Sequence, residues 1–223
     1  MYWLFSSSVG KKFILSISGI FLVLFLFFHM SMNLTLLFSD KIYDQICSLL
    51  GANWYAIIGT LVLFAGFFIH ILYASLLTIQ NRIKRGREKY ASCYRTQTDW
   101  SAKNMYVLGI IVFAGLALHM YHFWFKMQFS ELFHLEGAIL EGSESVKALF
   151  SQPLYSIIYL FWLVALWFHL THGVWSMFQS SGLSNKVWYP RLKVISSVVA
   201  TIILIGFAVV PVYFSFQFSV FSF

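Results

Sequence analysis

Long apolar runs separated by short polar clusters set the pattern of the chain. Five of them, approximately residues 13–38, 54–80, 104–125, 153–179 and 194–218, reach the ~20 residues that a helix needs to cross a hydrocarbon core ~30 Å thick. Their residues are apolar all round with no period-two alternation, which predicts helices rather than barrel strands. Pro153 suits the first turn of its helix, with Ser151 upstream as a cap, and Pro211 sits late in the last span, where a bend is expected. No linker or internal repeat divides the chain. Residues 1–223 therefore read as one all-α membrane bundle of five transmembrane helices.

Composition agrees and excludes more. Of 223 residues, 60% are hydrophobic and 10% charged, whereas a soluble domain carries about 25% charged residues. That leaves too little polar side chain to cover a water-soluble globule. Disorder, collagen-like repeats and nucleic-acid binding are excluded, despite a net charge of +7. The two cysteines, Cys47 and Cys93, cannot build a disulfide framework or an iron–sulfur cluster, which takes about four thiolates. No C-x-x-C-H motif is present, so covalent haem attachment is excluded too. Lys11 and Lys12 precede the first run as in a signal peptide. That run is about twice the length of an ordinary signal-peptide core and lacks a small-residue cleavage site, so a retained first span is expected.

The basic residues are lopsided. Between spans two and three stand Arg82, Lys84, Arg85, Arg87, Lys89, Arg95 and Lys103; Lys186, Arg191, Lys193, Lys11 and Lys12 fall on the same side. Only Glu88 and Asp99 oppose them. The other side has Lys41, Lys126 and Lys147 against Asp40, Asp44, Glu131, Glu136, Glu141 and Glu144. The positive-inside rule predicts a cytoplasmic N-terminus and an outside C-terminus.

Six of seven histidines fall within spans: His29, His70, His119, His122, His169 and His172; His134 lies in a loop. Ionisable side chains at membrane depth are costly and mark a pathway or a liganded site. The plainer reading gives each a carbonyl or hydroxyl on a neighbouring helix. Depth adds a second constraint. At ~1.5 Å per residue, His29 lies roughly 26 Å beyond Lys12 and His119 roughly 24 Å beyond Lys103. On the returning helices, His70 lies roughly 18 Å from Arg82, and His169 the same distance from Ser181. The four form two pairs, one per depth, each drawn from two helices. An upright haem needs two facing imidazoles at one level. Zinc wants three or four converging ligands. Two stacked b haems fit the spacing.

His122 and His172 each follow a favoured histidine by three residues and match the levels less well, so a supporting role is expected. They would bond to haem propionates, line a quinone pocket or face a carbonyl. Ser18 lies three turns before His29 with Gly19 beside it; Gly66 and Gly115 stand one turn before His70 and His119. These small residues give either room for a macrocycle or ordinary helix contacts.

With the histidines placed, the stretches FFHMSMN, FIHILYA, ALHMYHFWFK and FHLTHGVW, in that order, make the chain resemble the di-haem cytochrome b anchor of succinate dehydrogenase or fumarate reductase, in its single-subunit, five-helix form. The resemblance implies that His29 and His119 ligate an outer haem b, and His70 and His169 an inner one. It implies a flavoprotein subunit and an iron–sulfur subunit on the cytoplasmic side of a bacterial inner membrane, and a quinone, menaquinone, as substrate. The dicarboxylate site would lie on a partner, in a complex that can pair into dimers. Quinone candidates near the outer end are Asn33, Asn53, Trp54, Lys126 and Glu131. One departure stands out: some members carry a proton-conducting glutamate two residues before the fourth histidine, where this chain has Trp167. Competing readings are the di-haem anchor of a hydrogenase or formate dehydrogenase, and a transporter with a histidine proton relay.

Overall fold

A helix closes its own backbone hydrogen bonds, which is why apolar runs in lipid become helices. In the computed structural model, residue 4 and residues 6–85, 100–135, 141–179 and 185–220 are described. Arg87, Glu88, Lys89, Cys93, Arg95, Asp99, Glu136 and Ser181 lie outside the described residues.

Among the described residues, seven helices carry the chain. Helix α1 is Ser8–Leu34, capped by the Ser7 hydroxyl, which accepts from the Gly10 amide at 2.9 Å; a 3-10 turn, Thr35–Leu37, extends it. Helix α2 is Asp40–Leu49, with Ser39 as its cap, and α3 is Trp54–Arg85. Helix α4, Trp100–His119, widens into a π-helix over Met120–Phe129 and ends in one α turn, Ser130–Leu132. Helices α5, α6 and α7 are Gly142–Phe150, Pro153–Ser176 and Trp188–Val220. No strand occurs among the described residues.

Among the described residues, five helical stretches are long and apolar enough to cross a membrane: Ser8–Leu37, Trp54–Lys84, Trp100–Leu132, Pro153–Ser176 and Trp188–Gln217. The chain is a multi-pass, all-α membrane protein. Most spans outrun their hydropathy limits by several residues, because backbone hydrogen bonding continues past the lipid boundary into polar turns. One expectation needs correction: Ser151 does not cap α6. Its hydroxyl donates back to the Ala148 carbonyl at the end of α5, and Gln152 stands at the cap without a side-chain bond. Pro153 opens α6 as expected, and Pro211 lies inside α7.

Helix α6 is the centre of the packing. Leu163, Leu166 and Leu170 interlock with Ala200 and Ile203 of α7. The buried Ser196 hydroxyl bonds to the Leu170 and Thr171 carbonyls at 3.1 and 2.7 Å, a polar tie between helices that have no water to turn to. Helices α1 and α4 pack on the same core, and α3 packs mainly on α1. Helix α3 scarcely touches α4. Between those two runs an apolar cleft of about 250 Å³, lined by Phe64, Phe67, Phe68, Phe113, Leu116 and Met120 among others. Apolar side chains face outward as well: Phe68 and Phe161 are 67% and 69% exposed, as a lipid-facing surface requires.

Helices α2 and α5 close the end that carries the acidic residues. Asp44 accepts from the Ser143 amide at 2.8 Å and the Ser143 hydroxyl at 2.7 Å, so it caps α5 from α2. Lys147 pairs with Asp40 across the same seam. Tyr43, Val146 and Phe150 bury against Tyr159 of α6 and Phe214 of α7. Burial pushes the Cys47 thiol up to about 11; a hydrogen bond from Tyr43 opposes the shift and the Asp44 carboxylate adds to it. The neutral thiol is therefore the favoured form until strongly basic pH. In a Cys93→Ser chain, iodoacetamide should alkylate Cys47 at pH 8 roughly 100-fold more slowly than a free cysteine, with the rate climbing toward pH 11. A rate equal to that of the free thiol would show that the α2–α5 cap does not bury it.

Candidate functional site

Helix handedness and length bring four histidines from four helices to two levels. His29 of α1 and His119 at the end of α4 face each other near the acidic end, with ring centroids 5.7 Å apart and planes at 83°. His70 of α3 and His169 of α6 meet nearer the basic end, at 6.4 Å and 65°. These are the pairs that depth along the spans predicts. A metal between two imidazoles, each nitrogen ~2.1 Å away, sets ring centroids roughly 6 Å apart. An edge-to-face ring pair spans the same range, so the surroundings have to separate the two.

At the basic-end level they favour a ligand. The Ser18 hydroxyl donates its one proton to the Leu15 carbonyl at 2.9 Å, so at 3.2 Å it can only accept from His70 Nδ1. His70 is thereby fixed in the tautomer whose Nε2 keeps a lone pair for a metal. His169 Nδ1 is buried with no hydrogen-bond partner, an omission that costs about 1–3 kcal/mol for a polar group out of water. Small residues flank both rings. A methyl at Gly109 would lie 3.7 Å from His169 Cε1 with nothing else near it, whereas at Gly19 the Met177 thioether already fills the space, 2.9 Å from an added methyl. Alanine at Gly109 would narrow the space beside His169, space that a flat macrocycle would use. The residues present fit a haem.

The acidic-end level is caged by rings. His29 stacks on Phe25 at 5.4 Å and 12°, with Phe207 at 5.5 Å on another side. His119 is walled by Phe123, Tyr159 and Trp162, at 5.1, 6.3 and 5.9 Å. Asn33 donates to the His29 carbonyl at 2.8 Å, and the same nitrogen lies 3.5 Å from His29 Nε2. Gly66 and Gly115 do not open space for a macrocycle: a methyl at Gly66 would meet the Phe21 ring, and one at Gly115 the Trp162 indole. They serve helix contact.

The other expected residues find definite places. His122 bonds through Nδ1 to the Tyr159 hydroxyl at 3.0 Å, and His172 lies edge-on to Trp175 at 5.0 Å. Lys193 lies over both Trp175 and Tyr189 at the basic end. Asn53 donates to the Ser48 and Leu49 carbonyls, closing α2. Glu131 accepts from the Ala52 amide at 3.2 Å, and Lys126 lies 5.6 Å over the Tyr121 ring. Trp54 is 74% exposed. Asn53, Trp54 and Glu131 thus gather at the loop between α2 and α3. Trp167, at the position of the missing glutamate, ties α6 to α7 by donating to Thr201 at 3.0 Å.

Sequence reasoning missed two groups. Gln128 is a hub, accepting from Thr60 and Trp124 at 2.9 and 2.8 Å and donating to the Gly51 carbonyl at 2.9 Å. Tyr159 and Trp162 wall the acidic-end pair. Tyr155, Tyr159, Trp162, Leu166 and His169 recur at helical spacing on α6, and that stripe was a legible signal. No protein-family model, curated protein or solved structure matches the chain.

The Trp162 indole fills the notch at Gly115 and donates to the Val112 carbonyl at 3.0 Å. Gly115→Ala should therefore lower stability by about 1–3 kcal/mol, and Trp162→Leu in the same chain should recover part of the loss. Gly59→Ala, with nothing within 4 Å of the added methyl, should be stabilising by up to about 1 kcal/mol. Thermal unfolding in detergent measures all three; equal effects of Gly115→Ala and Gly59→Ala would refute the notch.

Proposed function

We propose that the chain is the membrane anchor and electron-transfer subunit of a succinate:quinone oxidoreductase, a succinate dehydrogenase or fumarate reductase, holding two b haems. One observation carries the reading: four histidines from four membrane helices meet as two pairs, at two depths, with centroid separations of 5.7 and 6.4 Å. The order of the four histidine stretches supports the family assignment. Each haem, when bound, supplies reversible one-electron exchange at its iron.

The chain's own residues supply the rest. His29 and His119 hold the acidic-end haem, and His70 and His169 the basic-end one. Ser18 keeps His70 Nε2 available. The aromatic walls of the acidic-end pair and the leucines of α6 exclude water, so both centres sit in a low-dielectric medium where neighbouring groups tune potential strongly. In this reading the basic end is cytoplasmic and docks the iron–sulfur subunit, with the flavoprotein beyond it. Quinone exchanges near the other end, where Asn33, Asn53, Trp54, Lys126 and Glu131 are the candidates. Trp167 leaves no carboxylate on α6 for a proton route through the bundle. Electrons move between the iron–sulfur partner and quinone by way of the two levels.

A pyridine haemochrome assay on the purified chain should find two haem b per polypeptide, with two reduction midpoints in a potentiometric titration. His29→Ala and His119→Ala should abolish one spectral component, and His70→Ala and His169→Ala the other. One haem or none per chain would end the proposal, and co-purified subunits of a hydrogenase would redirect the family assignment. Ser18→Ala should keep both haems but raise the basic-end midpoint alone, because the bond that increases His70's electron donation is lost. An unchanged titration in that variant would mean Ser18 does not act through His70.

A further inference from the structure

Helix α4 changes its winding at a functional position. The α turns end at His119, and the ten residues that follow, Met120–Phe129, are wound as a π-helix. Wide turns are rare and tend to mark functional sites, because they re-aim side chains that an α-helix would send elsewhere. The change of winding falls between His119 and His122, three residues apart. Here both rings reach the same residue of α6. Tyr159 lies 6.3 Å from the His119 ring and 6.0 Å from the His122 ring, and its hydroxyl is 3.0 Å from His122 Nδ1. Tyr159 and His122 are 5% and 6% exposed, so neither has water to bond to instead. Tyr155 stands edge-on to His122 at 5.0 Å and 85°, which holds that imidazole from a second side.

The two histidine levels are oriented by different means. At the basic end a hydroxyl bonds directly to His70. At the acidic end, among the described residues, neither His29 nor His119 shows such a direct tie from another helix; Asn33 of the same helix lies 3.5 Å from His29 Nε2, and aromatic walls bound both rings. Two of the three walls around His119 are polar-anchored: Trp162 by the Val112 carbonyl and Tyr159 by His122. The anchors matter because a phenol or indole free to swing would leave His119 free to rotate with it.

We propose that His122 is a positioning residue and not a ligand: its hydrogen bond locks the Tyr159 ring against His119 and so holds the acidic-end imidazoles at their near-perpendicular setting. This rests on the two-haem reading. In a low-spin ferric centre with two imidazole ligands, the angle between the ligand planes governs the splitting of the iron d orbitals, and so the g values of its EPR signal. Loosening Tyr159 therefore shifts one of the two haem signals and leaves the other alone.

Full-length wild type, Tyr159→Phe, His122→Phe and His122→Asn are compared by haem content, low-temperature EPR and potentiometric titration. Tyr159→Phe keeps the ring and removes only the hydroxyl; asparagine at 122 restores a polar group close to the Nδ1 position. Two haems per chain in every variant are expected. The signal that His29→Ala abolishes should shift its largest g value and its midpoint in Tyr159→Phe and His122→Phe, and return toward wild type in His122→Asn. The signal that His70→Ala abolishes should not move. Should His122→Phe fail to assemble, Tyr159→Phe carries the comparison. Unchanged signals in Tyr159→Phe would overturn the positioning role while leaving the two-haem reading standing. Loss of one haem in His122→Asn with retention in His119→Ala would make His122 the ligand. Absence of haem from wild type would remove the reading and the inference together.

Discussion

A polar group inside a bilayer has no water to fall back on, and that scarcity organises this bundle. Six histidines lie in helices that are otherwise apolar all round. Each must find a partner on another helix or carry a ligand, because an unpartnered polar atom in hydrocarbon costs several kcal/mol. The fold answers by converging α1, α3, α4 and α6 on their imidazoles. Small hydroxyls follow the same rule: Ser196 ties α7 to α6 and Ser18 ties α1 to α3. Specific polar contacts, more than the leucine core that any such helices could form, set which helix lies beside which.

The spans and the two histidine pairs were legible in the sequence because both depend only on one-dimensional quantities. Hydropathy marks where a helix must cross, and a fixed rise per residue converts position to depth. His29 with His119 and His70 with His169 follow from that count alone. What lay beyond it needed a second helix's coordinates. The partner of His122 is Tyr159, thirty-seven positions away, and nothing in the spacing of α4 announces it. The π winding of α4 beyond His119 is equally silent, since hydropathy does not distinguish winding. Gly19, Gly66 and Gly115 looked alike as gaps, but the neighbouring side chains decide: Met177, Phe21 and Trp162 fill them in turn. The amphipathic helices α2 and α5 escaped the span count because they are too short to cross and too polar to bury on both faces.

The two ends of the bundle are finished differently, and the difference follows from charge. At the acidic end α2 and α5 form a lid held by Asp44 on Ser143 and Lys147 on Asp40. The basic end has cations lying over aromatic rings, Arg82 on Tyr106 and Lys193 on Trp175 and Tyr189. Such cation–π contacts keep a long side chain at the rim. A positively charged rim suits an anionic lipid surface or a docked subunit, whereas a self-paired lid suits neither.

The same asymmetry runs inward to the histidines. Near the basic end, a hydroxyl bonded to His70 Nδ1 raises the electron-donating power of the other ring nitrogen. Near the acidic end the rings are bounded mainly by aromatic faces, with Phe25 stacked on His29 and Phe207 tilted against it, which contribute little charge stabilisation. An iron held by the first pair would have its oxidised, more positive form favoured by the better donor. That effect raises the potential of the acidic-end centre relative to the other. In the proposed complex, the downhill direction through the bundle alone would then be from the basic end to the acidic end. Quinol oxidation against that slope would have to be driven from outside this chain, by the redox partners or by the membrane potential acting on charge moved across it.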